Sequence, residues 1–417
     1  MSGHVKLMIP GPVEVEPEIL EVMARPLVPH YEAEFARIHA DTIQMARRVF
    51  QTAGDVFIMV GSGSAGLEAC LSQIAGNGGR TVIPTNGVFG KLLVTIARTY
   101  SDEVEEVEFP WETPIPASAL ERLLAEREGV ASVAVVHSET HTGLLNPVQE
   151  YGGICQARGA LLMVDAVSSL GGAELNMDAW GIDLCVTASQ KALGAPPGLC
   201  LVAVSPRSWS ILENRTRGPG WYLNLNAWRK RSVEWANWHP TLTTMAVSNF
   251  LALREALQSV LQEGLGSRFA RHKGVSQLIR QGMRGLGLAP YVPDEVASPT
   301  VTTAILPDGA SAETVREGIR TNHRILIAGA AVPCSERAIR VGHMGPQATV
   351  ANGVGVLLAI EDELRRLGFE LSVGQCLRGV NPGLLGSDAL PQGEDVRMEK
   401  GNCEATERRR NEVGERR

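Results

Sequence analysis

Two stretches place a reactive side chain directly behind an apolar run. In "LLMVDAVSSLGG" (161–172) the run ends in Asp165, and in "LCVTASQKALGAPPGL" (184–199) it ends in Ser189, Gln190 and Lys191. The chain has only six lysines, at 6, 91, 191, 230, 273 and 400. An ammonium behind a buried strand loses hydration, its pKa falls, and the free amine becomes a nucleophile suited to Schiff-base chemistry. Taken singly, each residue also has an ordinary reading: an acid after a strand caps a turn, and a loop lysine is merely solvated.

A third stretch, "FIMVGSGSAG" (57–66), carries glycines at 61, 63 and 66 in G-x-G-x-x-G spacing. An apolar strand here runs into a helix starting near Ala65, and the first amides of such a helix lack intrahelical partners, which makes a seat for phosphate. The spacing alone fits a dinucleotide, another phosphate or a tight strand-to-helix turn. Against a dinucleotide, the acid wanted about twenty residues on is missing, since "RTVIPTNGVFG" (80–90) offers Asn86. Ser62 and Ser64 also supply hydroxyls suited to a terminal phosphate monoester. Amine, carboxylate and phosphate seat together imply pyridoxal 5′-phosphate, whose ring acts as an electron sink when a carboxylate keeps its pyridine nitrogen protonated.

Composition narrows the class. A net charge of −7 over 417 residues gives no footprint for nucleic acid or an anionic membrane. Seven scattered cysteines without a C-x-x-C fit a reduced cytoplasmic protein better than a disulfide framework or a zinc site. The opening "MSGHVKLMIPGPVEV" lacks the pattern of a signal peptide, and no apolar run is long enough for a membrane helix.

Strands are expected at 55–60, 80–84, 103–108, 130–136, 160–164, 183–187 and 199–204, with amphipathic helices between them such as 32–50, 116–127 and 147–157. That alternation predicts a mostly parallel sheet with helices on both faces and a ligand at the carboxyl ends of the strands. Beyond about 245 the rhythm changes to two long helices (244–263 and 266–286). Shorter strands follow near 299–305, 324–327 and 338–342, with helices at 311–321 and 348–366. The division expected is an N-terminal segment (1–15) near the site, a large cofactor-binding domain (16–245), a smaller α+β domain (246–378) and a disordered tail (379–417).

Over residues 8–366 the sequence resembles the class V, fold type I pyridoxal-phosphate aminotransferases, nearest the alanine:glyoxylate and serine:pyruvate group. The resemblance rests on "IPGPVEV", "GSGSAGLEA", "TNGVFG", "HSETHTGLLNP", "VDAVSSLGG", "SQKALGAPPGL", "SPTVTT" and "RVGHMG" in that order. It implies that Lys191 forms the Schiff base and shuttles the proton, and that Asp165 pairs with the pyridine nitrogen. Phe89 stacks on the ring, where several members carry Trp. Thr140 and Gln190 bond the cofactor, and Ser62, Gly63 and Ser64 cradle its phosphate. Thr244 reaches the phosphate across a homodimer interface, and Gly11 and Arg340 fall at substrate positions, Arg340 gripping the carboxylate. The substrates implied are a small amino acid (alanine, serine or glycine) and glyoxylate or pyruvate.

There are departures from the pattern. Thr241 stands where some relatives place a phosphate-touching tyrosine, and His141 sits at a position that is commonly small, where it fits either a substrate-shaping group or a plain surface residue. Tyr31 in "PHYEAEF" and the aromatics of 221–239 fit either packing or the site mouth and dimer interface. Three other activities on this fold are weighed. A cysteine desulfurase would use Cys334, but "AVPCSERA" lacks the small-residue loop. A 2-aminoethylphosphonate aminotransferase would want a second cation, and a pyridoxamine:pyruvate type would place an acid in the phosphate loop. A non-catalytic descendant would have lost Lys191 or Asp165.

Overall fold

The structure, a computed structural model, describes residues 4–75, 77–213 and 220–386. Its centre is a seven-stranded sheet of β2 (Asp55–Val60), β3 (Arg80–Thr85), β4 (Val104–Glu108), β5 (Val130–Val136), β8 (Leu161–Asp165), β9 (Leu184–Ala188) and β10 (Leu199–Val204). These are the seven strands read from the sequence, in the order β2-β10-β9-β8-β5-β3-β4. All run the same way except β10, which pairs antiparallel with both β2 and β9. The reason is local: residues 189–198, between β9 and β10, form no crossover helix, so the chain can only turn back.

The strands are apolar throughout because both faces are covered, and their period of two divides the side chains between two cores. Val56, Ile58, Leu162, Val164, Leu199 and Leu201 join one, with Phe35 and Phe50 of the helix Glu32–Phe50. Phe57, Met59, Leu161, Met163, Cys200 and Val202 join the other, with Leu67 and Leu71 of the helix Gly63–Ile74. The uniform strand direction brings the carboxyl ends of β2, β3, β5, β8 and β9 to one edge of the sheet. Just beyond β5, β6 (Ser138–Glu139) and β7 (Leu144–Leu145) form a two-residue hairpin around 140–143.

A second, antiparallel sheet has the order β11 (Ala289–Pro290), β12 (Val301–Ile305), β15 (Ala338–Gly342) and β14 (Ala328–Gly329), packed with the helices Leu265–Gly285 and Val350–Arg366 around a third core. The N-terminal β1 (Lys6–Leu7) pairs parallel with β13 (Ile325–Leu326), so the first residues are tied to this later part of the chain.

Two boundaries move from where the sequence put them. The helix Val247–Glu263 contributes Phe250, Leu253, Leu257 and Val260 to the large-sheet core, and Leu265 still packs against it, so the change of core falls between Leu265 and Val275 rather than at 245. At the other end Val380 is buried, and Leu384, in the short helix Pro382–Leu385, packs on the third core, so packed structure continues past 379 through Gly386. The rest of the expected tail, 387–417, lies outside the described residues.

The glycines of 61–66 are explained by close approach. A Cβ at Gly66 would lie 2.7 Å from Val186 Cγ1 and 3.3 Å from Cys200 Cβ, and one at Gly63 would lie 3.0 Å from Val167 Cγ2. Their absence lets the helix Gly63–Ile74 settle onto β9 and β10 with its amino end at the sheet edge. Gly66→Ala gains about 1 kcal/mol of helix propensity but forces a β-branched strand residue aside, which costs about 1–3 kcal/mol. A net loss of stability is expected as a lower urea midpoint with unchanged slope, and an equal or higher midpoint would refute the close-packing role.

Candidate active site

Eight of the residues singled out in the sequence line one cavity at the carboxyl edge of the central sheet: Ser62, Gly63, Ser64, Phe89, Thr140, Asp165, Gln190 and Lys191. Asp165 ends β8, Lys191 follows β9 by three residues, and Ser62 is the N-cap of the helix Gly63–Ile74 with no capping bond from its hydroxyl. The Ala65 N–H turns back to the Ser62 carbonyl (2.9 Å), and the amides of Gly63 and Ser64 have no partner inside the helix. With no acid in the first turn, that end is electropositive.

Lys191 is pressed by the N-terminal segment. Its Nζ donates to the Pro10 carbonyl, and a Cβ on Gly11 would lie 2.7 Å from Lys191 Cδ and 2.9 Å from Nζ. Gly11 takes φ +105°, a left-handed conformation that glycine adopts without strain. Burial first, and then the Arg340 charge, bring the Lys191 pKa down to about 8, while Asp165 opposes them. Burial raises the Asp165 carboxyl to about 6, against the Val167 N–H that donates to Oδ1 (2.9 Å) and the Lys191 charge.

Arg340, on β15, reaches the site from the second sheet. Its Nε donates to Gly329 O (2.6 Å) and its Nη1 to Thr140 O (3.2 Å). Thr140 Oγ1 donates to Ser168 Oγ (2.7 Å), and Ser168 also lines the cavity. Thr244 is exposed and does not line the cavity of its own chain. Thr241 is buried and its hydroxyl donates to Thr243 O (2.8 Å) within its own loop, so it does not replace the missing tyrosine. Asn86, where a dinucleotide would want an acid, is buried in a mutual amide pair with Asn146 (2.9 and 3.2 Å).

Two residues escaped the sequence reading, and a third, His141, gained a partner it could not show. Glu139, inside the quoted "HSETHTG", is a buried carboxylate accepting the N–H groups of Phe89 (2.9 Å), Gly90 (3.2 Å) and His141 (3.4 Å). Burial pushes it up to about 7 despite these bonds. An acid in a run otherwise destined for the interior was the available signal. Arg268, also buried, donates to Gly171 O (2.7 Å) and Ala192 O (2.6 Å) and pairs with Glu263 (2.5 Å), so one guanidinium clamps the loops after both Asp165 and Lys191. No local pattern marks it. His141 is held against the second sheet: Ala331 N–H donates to its Nδ1 (2.9 Å), and its ring lies 5.6 Å from that of Phe89.

The residues fit pyridoxal phosphate on three counts of this structure. The buried Gln190 Oε1 has no hydrogen-bond partner, the helix amino end presents free amides and hydroxyls, and a lysine of lowered pKa shares the cavity with a buried carboxylate.

Comparison with known proteins places these features in a family. The model of the class-V aminotransferases matches residues 22–333. An uncharacterized aminotransferase of Methanocaldococcus jannaschii is 34% identical over 365 residues, covering 88% of this chain and 94% of its own. Ureidoglycine–glyoxylate aminotransferase from Bacillus subtilis, in its crystal structure, matches with a TM-score of 0.86 at 32% identity, over 91% of this chain and 97% of that one. Pyridoxamine–pyruvate aminotransferase from Mesorhizobium loti matches with the same TM-score at 29% identity, over 91% and 96%. Because these likenesses run through the cavity-lining strands and the second sheet alike, the chain belongs to the class-V aminotransferase family and has its fold type I architecture.

Proposed function

We propose that this aminotransferase uses pyridoxal 5′-phosphate, attached through Lys191, to transfer an amino group from a small amino acid (alanine, serine or glycine) to glyoxylate or pyruvate. The observation that carries this reading is the shared cavity, in which Lys191 and Asp165 face the open amino end of the helix Gly63–Ile74. When bound, the cofactor supplies an electron sink for the pair released at the substrate α-carbon. The protein's own groups do the rest. Asp165 holds a proton on the pyridine nitrogen. Ser62, Gly63 and Ser64 bind the phosphate, and Gln190 and Thr140 supply further polar contacts to the cofactor. Phe89 lies along the ring, and Gly11 with Arg340 bounds the substrate side, Arg340 receiving the carboxylate as a fork. Lys191 carries the proton once its amine is free. Absence of an acid from the first turn of the phosphate-seat helix favours this reading over a pyridoxamine:pyruvate type.

The enzyme is proposed to act as a homodimer in the cytoplasm. Ser62 and Ser64 are exposed in the single chain, as are Thr244 and the aromatic side chains of Tyr31, Trp235 and Trp238. A second copy laid there would cover the phosphate seat and bring Thr244 to it. The cysteines at 70, 155, 185, 200 and 376 are free and buried, which suits a reducing compartment. No helix among the described residues is long and apolar enough to cross a membrane.

Lys191→Ala is expected to abolish amino transfer while leaving far-ultraviolet circular dichroism unchanged. The measurement is a half-reaction screen in which each amino acid is mixed with the purified holoenzyme and the cofactor band is followed. Turnover near the wild-type rate would overturn the assignment.

Labelling of Lys191 by an amine reagent in the cofactor-free enzyme, read by mass spectrometry, is expected to titrate with a midpoint near 8. The Arg340 cation disfavours the ammonium, so Arg340→Gln should raise the midpoint. The Asp165 carboxylate favours it, so Asp165→Asn should lower the midpoint. Shifts in the opposite directions would refute the charge arrangement.

Sedimentation of the holoenzyme is expected to give a dimer with full activity after removal of 387–417. An active monomer would refute the shared phosphate seat, and lost activity on truncation would place the removed segment in the site.

A further inference from the structure

His141 stands between the groups proposed to hold the cofactor and those proposed to hold the substrate. The preceding residue, Thr140, lines the cavity and gives its carbonyl to Arg340 Nη1 (3.2 Å). The imidazole lies 5.6 Å from the Phe89 ring, itself part of the cavity wall. Its flanks Thr140 and Thr142 are buried, whereas His141 is half-exposed. Its backbone is fixed as well, the carbonyl accepting from Thr303 Oγ1 (3.0 Å).

One further bond settles which nitrogen carries the proton. Ala331 N–H donates to Nδ1 (2.9 Å), so Nδ1 is an acceptor and the neutral ring must carry its hydrogen on Nε2. Burial first, then the charges of Arg340 and Lys191, bring the pKa of His141 down to about 4, so the ring is uncharged at neutral pH. Among the described residues, Nε2 has no hydrogen-bond partner. The result is a neutral N–H donor of fixed tautomer, on a half-exposed ring that touches the cavity wall and follows the residue bonded to Arg340.

We propose that His141 is a specificity-determining residue whose Nε2–H donates to an oxygen on the substrate side chain, so that amino donors bearing a hydroxyl or carbonyl oxygen on Cβ, such as serine, are preferred over alanine. The inference rests on the transamination reading above, because it takes Arg340 to hold the α-carboxylate. A purely structural role, in which His141 only accepts the Ala331 N–H, is separable by substitution. Asn places an acceptor near Nδ1 but lacks the distal N–H, whereas Gln carries an N–H at the reach of Nε2.

The test is equilibrium binding of 3-hydroxypropionate and propionate to the holoenzyme, by calorimetry. These are the skeletons of serine and alanine without the amine, and neither can react. The wild-type enzyme should bind the hydroxy acid about fivefold more tightly, the worth of one net hydrogen bond. His141→Asn should bring the ratio close to one, and His141→Gln should restore most of it. The ratio of kcat/KM for serine over alanine should fall in the Asn variant by the same factor. A ratio near one in the wild type, or one that persists in His141→Asn, would overturn the role. Failure of the wild type to transaminate any small amino acid would instead refute the functional reading, which the non-reactive pair does not measure.

Discussion

An amine kept from water holds its proton less tightly, and the groups around Lys191 keep it from water. Burial and the Arg340 charge bring its pKa down to about 8 by disfavouring the charged form. The sheet edge supplies part of the burial, and the segment at Pro10 and Gly11 closes over the side chain. Arg340 adds repulsion while Asp165 restrains it, so a pair of opposite charges adjusts the fall that burial begins.

Desolvated charge needs fixed partners, and these come from distant parts of the chain. Glu139 is held by amides at the start of the helix Val88–Arg98 and raises the pKa of Arg340 by its charge. Arg268 spends its donors on two carbonyls, Gly171 and Ala192, next to the reactive loops. Removing Glu139 would strand N–H donors and removing Arg268 would strand carbonyl acceptors, each at a cost of about 1–3 kcal/mol. The cavity is therefore stiffened by residues that do not line it.

This division explains what could be read in the sequence. Groups that end a strand, such as Asp165 and Lys191, announce themselves because an apolar run stops at a polar residue, and the Ser62–Ser64 seat is marked by its glycines. Arg340 was legible only through resemblance, since nothing in "AIRVGHMG" says that its strand faces another sheet. Arg268 and the His141–Ala331 bond were not legible, because each joins segments whose nearness exists only after folding. For the same reason the periodicity of 247–263 marked a helix without saying which core it entered. The sparse apolar residues at 380 and 384 gave no sign that they would find a place against the third core.

The N-terminal segment has a consequence for biosynthesis. Its strand β1 pairs with residues 325–326, and the Met8 carbonyl accepts from Gly342 N–H, so the backbone over Lys191 is anchored by parts of the chain that leave the ribosome late. A chain that has formed the central sheet but not yet residues 325–342 has Asp165 at the end of β8 and Lys191 three residues past β9, but lacks the anchor that seats Pro10 and Gly11 over the lysine. The burial that loosens the lysine's hold on its proton thus depends on residues 6–11 having met residues 325–342, and not on the central sheet alone.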